Sequence, residues 1–256
     1  MDVDVAERLR ALGFGEADAR TLADHFLDAE HRGRHGHGLA RVDWLGSLPD
    51  LRPDARPERV VAEAGYERWE GRGALGYLVL AAICDAQLER RPSPVRVVVA
   101  ADCFPTGMLG YWARRLALGG LAAWLTATSP PRLAHPDGGP PLAGTNPLAI
   151  GIPDPDGGRP IVADVSMGKI TYGDVIAGLA PPEELVPFGG EQAHKAFALA
   201  LGLHLFVESL AGERYGAVLV VGEPESYPVA GLRRRAGAVR LPGDRGEATP
   251  ESPAAP

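Results

Sequence analysis

The sequence predicts an α/β fold preceded by a small helical segment, and three observations lead there. Apolar strand-like runs such as 95–101 and 215–221 alternate with segments whose apolar residues recur three and four apart, the helical period. No Gly-x-Gly-x-x-Gly follows a predicted strand, so a Rossmann arrangement is not expected. A chain of 256 residues with 45% apolar and 23% charged content can bury a full core as one or two domains.

Residues 5–12 and 16–30 read as two amphipathic helices separated by a Gly13-Phe14-Gly15 break. With the loop that follows they form an N-terminal segment, 1–57. A mixed domain, 58–243, comes next. Its first part is two short strands within 58–70 around a turn at Gly65, then a glycine turn running into a helix over 71–88, broken at 91–94. A buried strand at 95–101, a helix at 108–118 and a strand at 121–127 precede a proline-rich loop, 129–141. In 144–153, GTNPLAIGIP, a Gly-Thr-Asn turn and two prolines bracket an apolar strand that cannot continue as helix. Thr145 and Asn146 there either meet a small polar ligand or simply cap a loop entering the core. The DPDGG turn at 154–158 makes a hairpin with 160–165. A helix from His194, apolar nearly all round and so expected to be buried, a strand over 215–221 and a short helix over 227–235 complete the domain. The polar, proline-rich 244–256 reads as a disordered tail.

A net charge of -7 argues against nucleic acid as a partner and points to a small molecule. No apolar run is long enough for a membrane span, and MDVDVAERLR lacks the character of a signal peptide, so a cytoplasmic location is expected. Two cysteines, Cys84 and Cys103, suggest neither a disulfide framework nor a thiolate metal site. Of 26 cationic side chains only Lys169 and Lys195 are lysines, a compact charge that guanidinium does not replace at a phosphate or carboxylate. The segment 31–41 packs His31, Arg32, Arg34, His35, His37 and Arg41 together with glycines. A zinc site there lacks a further carboxylate or thiolate at a defined spacing, which leaves a solvated basic loop or a substrate site.

HGLAR at 37–41, GTNPLAIGIP at 144–153, PFGG at 187–190 and His194-Lys195, in this order, resemble the malate/L-lactate dehydrogenase family, which includes ureidoglycolate and sulfolactate dehydrogenases and reductases of cyclic imino acids. The resemblance implies an L-sulfolactate-dehydrogenase-like mixed sheet flanked by helices, a C-terminal strand returning to the N-terminal part, and a homodimer with the pocket between subunits. It implies NAD or NADP as cofactor and a small carboxylate-bearing substrate, a 2-oxo acid or cyclic 2-imino acid. Carried over by residue, Arg41 grips the carboxylate and His37 handles the proton, with Arg32, Thr145, Asn146 and His135 around the substrate. Asp164, Ser166, Lys169, Gly189, Gly190, His194 and Lys195 fall to the cofactor, and no metal is implied.

The departures from the family pattern are specific. Gly36 stands for a serine, Tyr77 for a glutamine, and Ala196 and Ala198 for two glycines of the HKGxG motif. Pro105 occupies the position of the histidine proposed to move the substrate's proton, and a proline ring cannot do so. His37, His135, Asp102 and Cys103 are the candidate replacements. Only 171–186 lies where the family has a longer covering segment, which predicts a more open pocket. Three functions follow: an NAD(P)-dependent oxidoreductase, a nicotinamide-independent lyase, isomerase or cyclase on the same scaffold in specialised biosynthesis, or a non-catalytic binding or partner subunit.

Overall fold

The computed structural model describes residues 2–155 and 157–244; the expected tail lies, beyond Asp244, outside the described residues. Helices α1 (Asp2–Ala11) and α2 (Glu16–His31) form the N-terminal hairpin, followed by a 3-10 turn at His35–His37 and a short helix α3 (Ala40–Gly46) that periodicity did not suggest. The rest is a seven-stranded mixed sheet. In chain order its strands are β1 (Glu58–Ala62), β2 (Tyr66–Glu70), β3 (Val95–Ala101), β4 (Ala122–Ala127), β5 (Leu148–Ile152), β6 (Ile161–Val165) and β7 (Ala217–Gly222). In space the order is β1-β2-β3-β7-β4-β5-β6. Only β2 and β3 run parallel; the other five neighbouring pairs are antiparallel.

Helix α4 (Gly76–Glu89) connects β2 to β3, and α5 (Leu109–Leu118) connects β3 to β4. Both pack with α2 on one face of the sheet over a core that includes Phe26, Tyr77, Ile83, Val98, Trp112 and Leu125. Helix α7 (Ala193–Ala211) covers the other face, where Val99, Ala101 and Val218 meet Val207 and Ala211. Cover on both sides explains why β3 is spelled VRVVVAA without polar alternation. One expectation fails: α7 is not buried all round, because Leu199, Leu205, Phe206 and Leu210 are between 41% and 56% exposed. Two shorter helices, α6 (Tyr172–Ile176) and α8 (Val229–Ala236), complete the described residues. The last strand in sequence, β7, lies centrally, and the segment that returns to the N-terminal part is 241–243: Pro242 O accepts from Val162 N–H (3.2 Å), and Gly243 O from Arg32 (3.5 Å).

A fully buried carboxylate ties the sheet to α4. Glu67 accepts from Arg90 (2.5 Å), Gln87 (2.9 Å) and the Trp69 indole (3.1 Å), and lies 3.6 Å from Arg96. Burial pushes its pKa up, but the hydrogen bonds from Trp69, Arg90 and Gln87 and the Arg96 charge outweigh this and hold it below the ordinary value.

Candidate active site

The N-terminal segment meets the sheet at a cleft with two adjoining chambers, an inner one of about 80 Å³ and an outer one of about 450 Å³. His37, Gly107, Pro147, Ser166 and Thr171 line both.

The loop carrying His37 and Arg41 is shaped by Glu30. Its carboxylate accepts from Leu39 N–H (2.7 Å) and bonds the His35 ring, folding the chain back over the end of α2. A Cβ on Gly38 would fall 2.0 Å from Glu30 Oε1, so a side chain there would displace the carboxylate that shapes the loop. Arg41, on α3, is 7% exposed, donates from Nε to Gly36 O (2.8 Å) and has its guanidinium carbon 4.9 Å from the centre of the Trp44 ring. With Nε engaged there, its terminal nitrogens are the donors that remain for the inner chamber it lines.

The segment after β6 contributes one wall of this chamber. A capping box between Thr171 and Asp174 starts α6, and Thr171, Tyr172 and Gly173 form part of the chamber wall. The helix docks where two glycines meet: a Cβ on Gly173 would lie 2.0 Å from Gly36 O, and one on Gly36 would lie 2.3 Å from Asp174 Oδ1. The serine that the family pattern places at position 36 has no room here. Opposite, the Arg132 guanidinium carbon stands 3.3 Å from the centre of the Tyr172 ring.

Three polar atoms beside the cleft are buried without a hydrogen-bond partner: His25 Nδ1, His37 Nδ1 and the Tyr77 hydroxyl. Burial depresses the pKa of His37 to about 3, with the Arg41 and Arg34 charges adding to the effect. Burial likewise takes His25 to about 3, and its Nε2 accepts from Met108 N–H (3.1 Å). Both rings are therefore neutral at pH 7, so His37 offers the cleft a hydrogen bond rather than a stored proton.

Of the other residues considered as proton carriers, none reaches the inner chamber. Asp102 accepts from Gly73 N–H (2.8 Å) and pairs with Arg214 (3.4 Å). Cys103 is a buried thiol whose pKa burial pushes well up. His135 accepts from Asp137 N–H (3.1 Å) and packs edge-on against Phe197.

Among the residues assigned to substrate, Thr145 lines the inner chamber and Arg32 the outer one, where it is bonded to Asp28. Asn146 is fully buried and spends its amide on protein: Oδ1 accepts from Ser129 N–H (3.2 Å), and Nδ2 donates to Ala200 O (2.9 Å) and faces His204 Nδ1 (3.3 Å). The residues assigned to the cofactor divide. Ser166 lines both chambers and Asp164 the outer one, its carboxyl raised by burial despite accepting from Gly110 N–H (2.8 Å). Lys169 pairs with Glu184 (2.8 Å) outside both. Hydrogen bonds from Lys169 N–H to Val186 O (2.7 Å) and from Phe188 N–H to Met167 O (3.2 Å) nonetheless join 166–169 to 186–190, so one strip leads from Ser166 towards the start of α7. Along it Gly189 and Gly190 have φ of 108° and 56°, nothing lies within 4 Å of a Cβ built on Gly190, and His194 and Lys195 are exposed in the first turn of α7. Open backbone, two basic side chains and a helix N-terminus suit an extended phosphate-bearing group.

A model of the malate/L-lactate dehydrogenase family matches residues 3–178. The chain belongs to this family. A (2R)-3-sulfolactate dehydrogenase (NADP(+)) from Chromohalobacter salexigens is 29% identical over 242 residues, covering 81% of this chain and 69% of the relative. A Δ1-pyrroline-2-carboxylate/Δ1-piperideine-2-carboxylate reductase from Pseudomonas syringae pv. tomato is 26% identical over 300 residues, covering 95% and 86%. The solved structure of a Δ1-piperideine-2-carboxylate reductase from the same organism superposes with a TM-score of 0.80 at 25% identity, covering 94% of this chain and 88% of that one. Malate dehydrogenase from Pyrococcus horikoshii superposes at 0.81 with 20% identity, covering 96% and 85%, and speaks for the fold alone. The mixed sheet expected from the motifs is thus the family's own. Among the described residues no helix is long and apolar enough to cross a membrane, and no group of three or more His, Cys, Asp or Glu is placed to hold a metal.

Proposed function

We propose that this member of the family is an NAD(P)-dependent oxidoreductase acting on a small 2-oxo acid or cyclic 2-imino acid. The inner chamber carries the reading: a cavity of about 80 Å³ with a buried guanidinium and a neutral imidazole in its wall takes a small acid and little else. Arg41 holds the carboxylate through its terminal nitrogens, and charge-assisted bonds of this kind contribute about 1.5–3 kcal/mol. His37 hydrogen-bonds the 2-oxo or 2-imino group, and Thr145 forms part of the same chamber wall. The wall formed by Tyr172 and Gly173 of α6 narrows access of water to the reacting carbon.

Asp164, Ser166, Lys169, Gly189, Gly190, His194 and Lys195 would hold NAD or NADP, which supplies hydride when bound. The activities of the related sulfolactate dehydrogenase (NADP(+)) and pyrroline- and piperideine-carboxylate reductases support both the cofactor and the substrate class. Homodimerisation belongs to the same reading, supported by the apolar face that α7 leaves exposed. Pro105 favours a second reading, an enzyme on this scaffold that no longer uses nicotinamide. Calorimetric titration with NADH and NADPH, followed by turnover on a panel of 2-oxo and cyclic imino acids, separates the two. Micromolar binding of one cofactor with turnover is expected; binding of neither would overturn the first reading.

A further inference from the structure

Reducing a 2-oxo or 2-imino group requires a proton, and with Pro105 in the family's histidine position the residues nearest the inner chamber must provide it. His37 is neutral across the physiological range and has little proton to give. Among the hydroxyl-bearing residues in the wall, Tyr77, in the first turn of α4, is the one whose hydroxyl is buried without a hydrogen-bond partner. Its side chain is 0% exposed, it lines the inner chamber together with Arg41 and Pro105, and its hydroxyl has no hydrogen-bond partner. The phenol is held in place by edge-on contacts with His25 (4.9 Å between ring centres) and Phe26 (5.3 Å). Gly107 lets the ring pack this closely: a Cβ there would lie 2.2 Å from Tyr77 Cε1 and 2.5 Å from His25 Cε1.

We infer that Tyr77 is the proton donor of this active site, an inference that rests on the oxidoreductase reading above. The proton passes from Tyr77 Oη to the oxygen or nitrogen double-bonded to C2. The π pair of that double bond becomes the new O–H or N–H bond, while C2 receives hydride from the reduced nicotinamide. Burial holds the pKa of this phenol above its ordinary value and the Arg41 charge offsets part of that rise; the phenolate left behind faces Arg41 and is reprotonated from solvent. A purely structural role is a poor account of the hydroxyl. An unpaired buried hydroxyl costs about 1–3 kcal/mol, so phenylalanine would pack the same space more favourably.

The test is Tyr77→Phe in the full chain, with three readouts. The melting temperature is expected to hold or rise, and calorimetric affinity for lactate or proline, without oxidised cofactor, to stay within a few-fold of wild type. The kcat for 2-oxo or imino acid reduction is expected to fall about 100- to 10,000-fold, the usual contribution of a positioned acid. Wild-type kcat in the variant would overturn the inference while leaving the oxidoreductase reading intact, and so would a drop in melting temperature that parallels the loss of activity. A wild-type protein that reduces none of the acids would overturn both.

Discussion

Replacing Gly36 with alanine tests whether α6 covers the site by docking on bare backbone. Gly36 has no left-handed φ, so the change carries no conformational penalty of its own. The added Cβ would meet Asp174 Oδ1 at 2.3 Å, Asp174 N at 2.7 Å and the carbonyl carbon of Gly173 at 2.8 Å. Two of these atoms are backbone, and reaching an ordinary 3.4 Å contact with the carboxylate oxygen requires 1.1 Å of movement. Side-chain rotation cannot supply it, because Asp174 Oδ2 is fixed by Thr171 N–H and its hydroxyl, both at 2.8 Å. Overpacking of this kind costs about 1–3 kcal/mol, which lowers the melting temperature of a chain this size by roughly 2–12 °C. If α6 undocks instead, the inner chamber loses the wall formed by Tyr172 and Gly173, and KM for the acid rises with little change in melting. Gly65→Ala, where nothing lies within 4 Å of the new Cβ, is the control and should melt at or slightly above wild type. Calorimetry with steady-state kinetics reads both outcomes. A Gly36→Ala protein that melts and binds like the control would refute the docking of α6 on Gly36.

Arg41→Lys keeps the charge but loses the bond to Gly36 O and the forked geometry; KM for the acid should rise about 10- to 150-fold, from roughly 1.5–3 kcal/mol per charge-assisted contact, and an unchanged KM would remove Arg41 from the substrate site. Glu67→Gln leaves the Arg90, Arg96 and Arg59 cluster without its counter-charge and should cost about 3–5 kcal/mol in chemical denaturation; a loss under 1 kcal/mol would show that the cluster is solvated. His25 and His37 bind protons only near pH 3 when folded, but near pH 6.5 when unfolded, so stability should fall as pH is lowered from about 6.5. Glu67, whose folded pKa lies below the unfolded value, adds a further loss as pH drops below its ordinary range. Denaturation midpoints that stay flat from pH 7.5 to 4 would contradict both. Phe206→Glu, on the exposed face of α7, should shift sedimentation from dimer to monomer, and a wild-type profile would move the interface elsewhere.

Most of the sheet and its helices were legible because they repeat a local rule: the runs at 95–101 and 122–127 are apolar on both faces, and the helices at 16–31 and 109–118 keep the 3.6-residue period. Helices α3 and α6 were not, being too short for a period to emerge; α6 is announced only by its Thr171–Asp174 capping box. The site was legible as motifs but not as an arrangement. Nothing near Asn146 reveals that its amide is taken up by Ala200, 54 positions away, nor near Tyr77 that it lines the same chamber as Arg41. Gly36 reads in sequence as a lost serine and in structure as the seat of α6, because the partner that excludes a side chain lies 137 positions downstream at Gly173. The apolar α7 misled for the opposite reason: composition reports that a face avoids water without saying whether this chain covers it.

The central place of β7 has a consequence for how the protein is made. Its backbone pairs on one side with β3 and on the other with β4, both laid down about a hundred residues earlier. While the ribosome is still translating the intervening chain, two apolar strand edges wait side by side with nothing between them, a state open to pairing with another nascent chain. A fragment ending at residue 178, where the match to the family model ends, would carry every cleft residue of the N-terminal loop yet lack the strand that joins the two halves of its sheet.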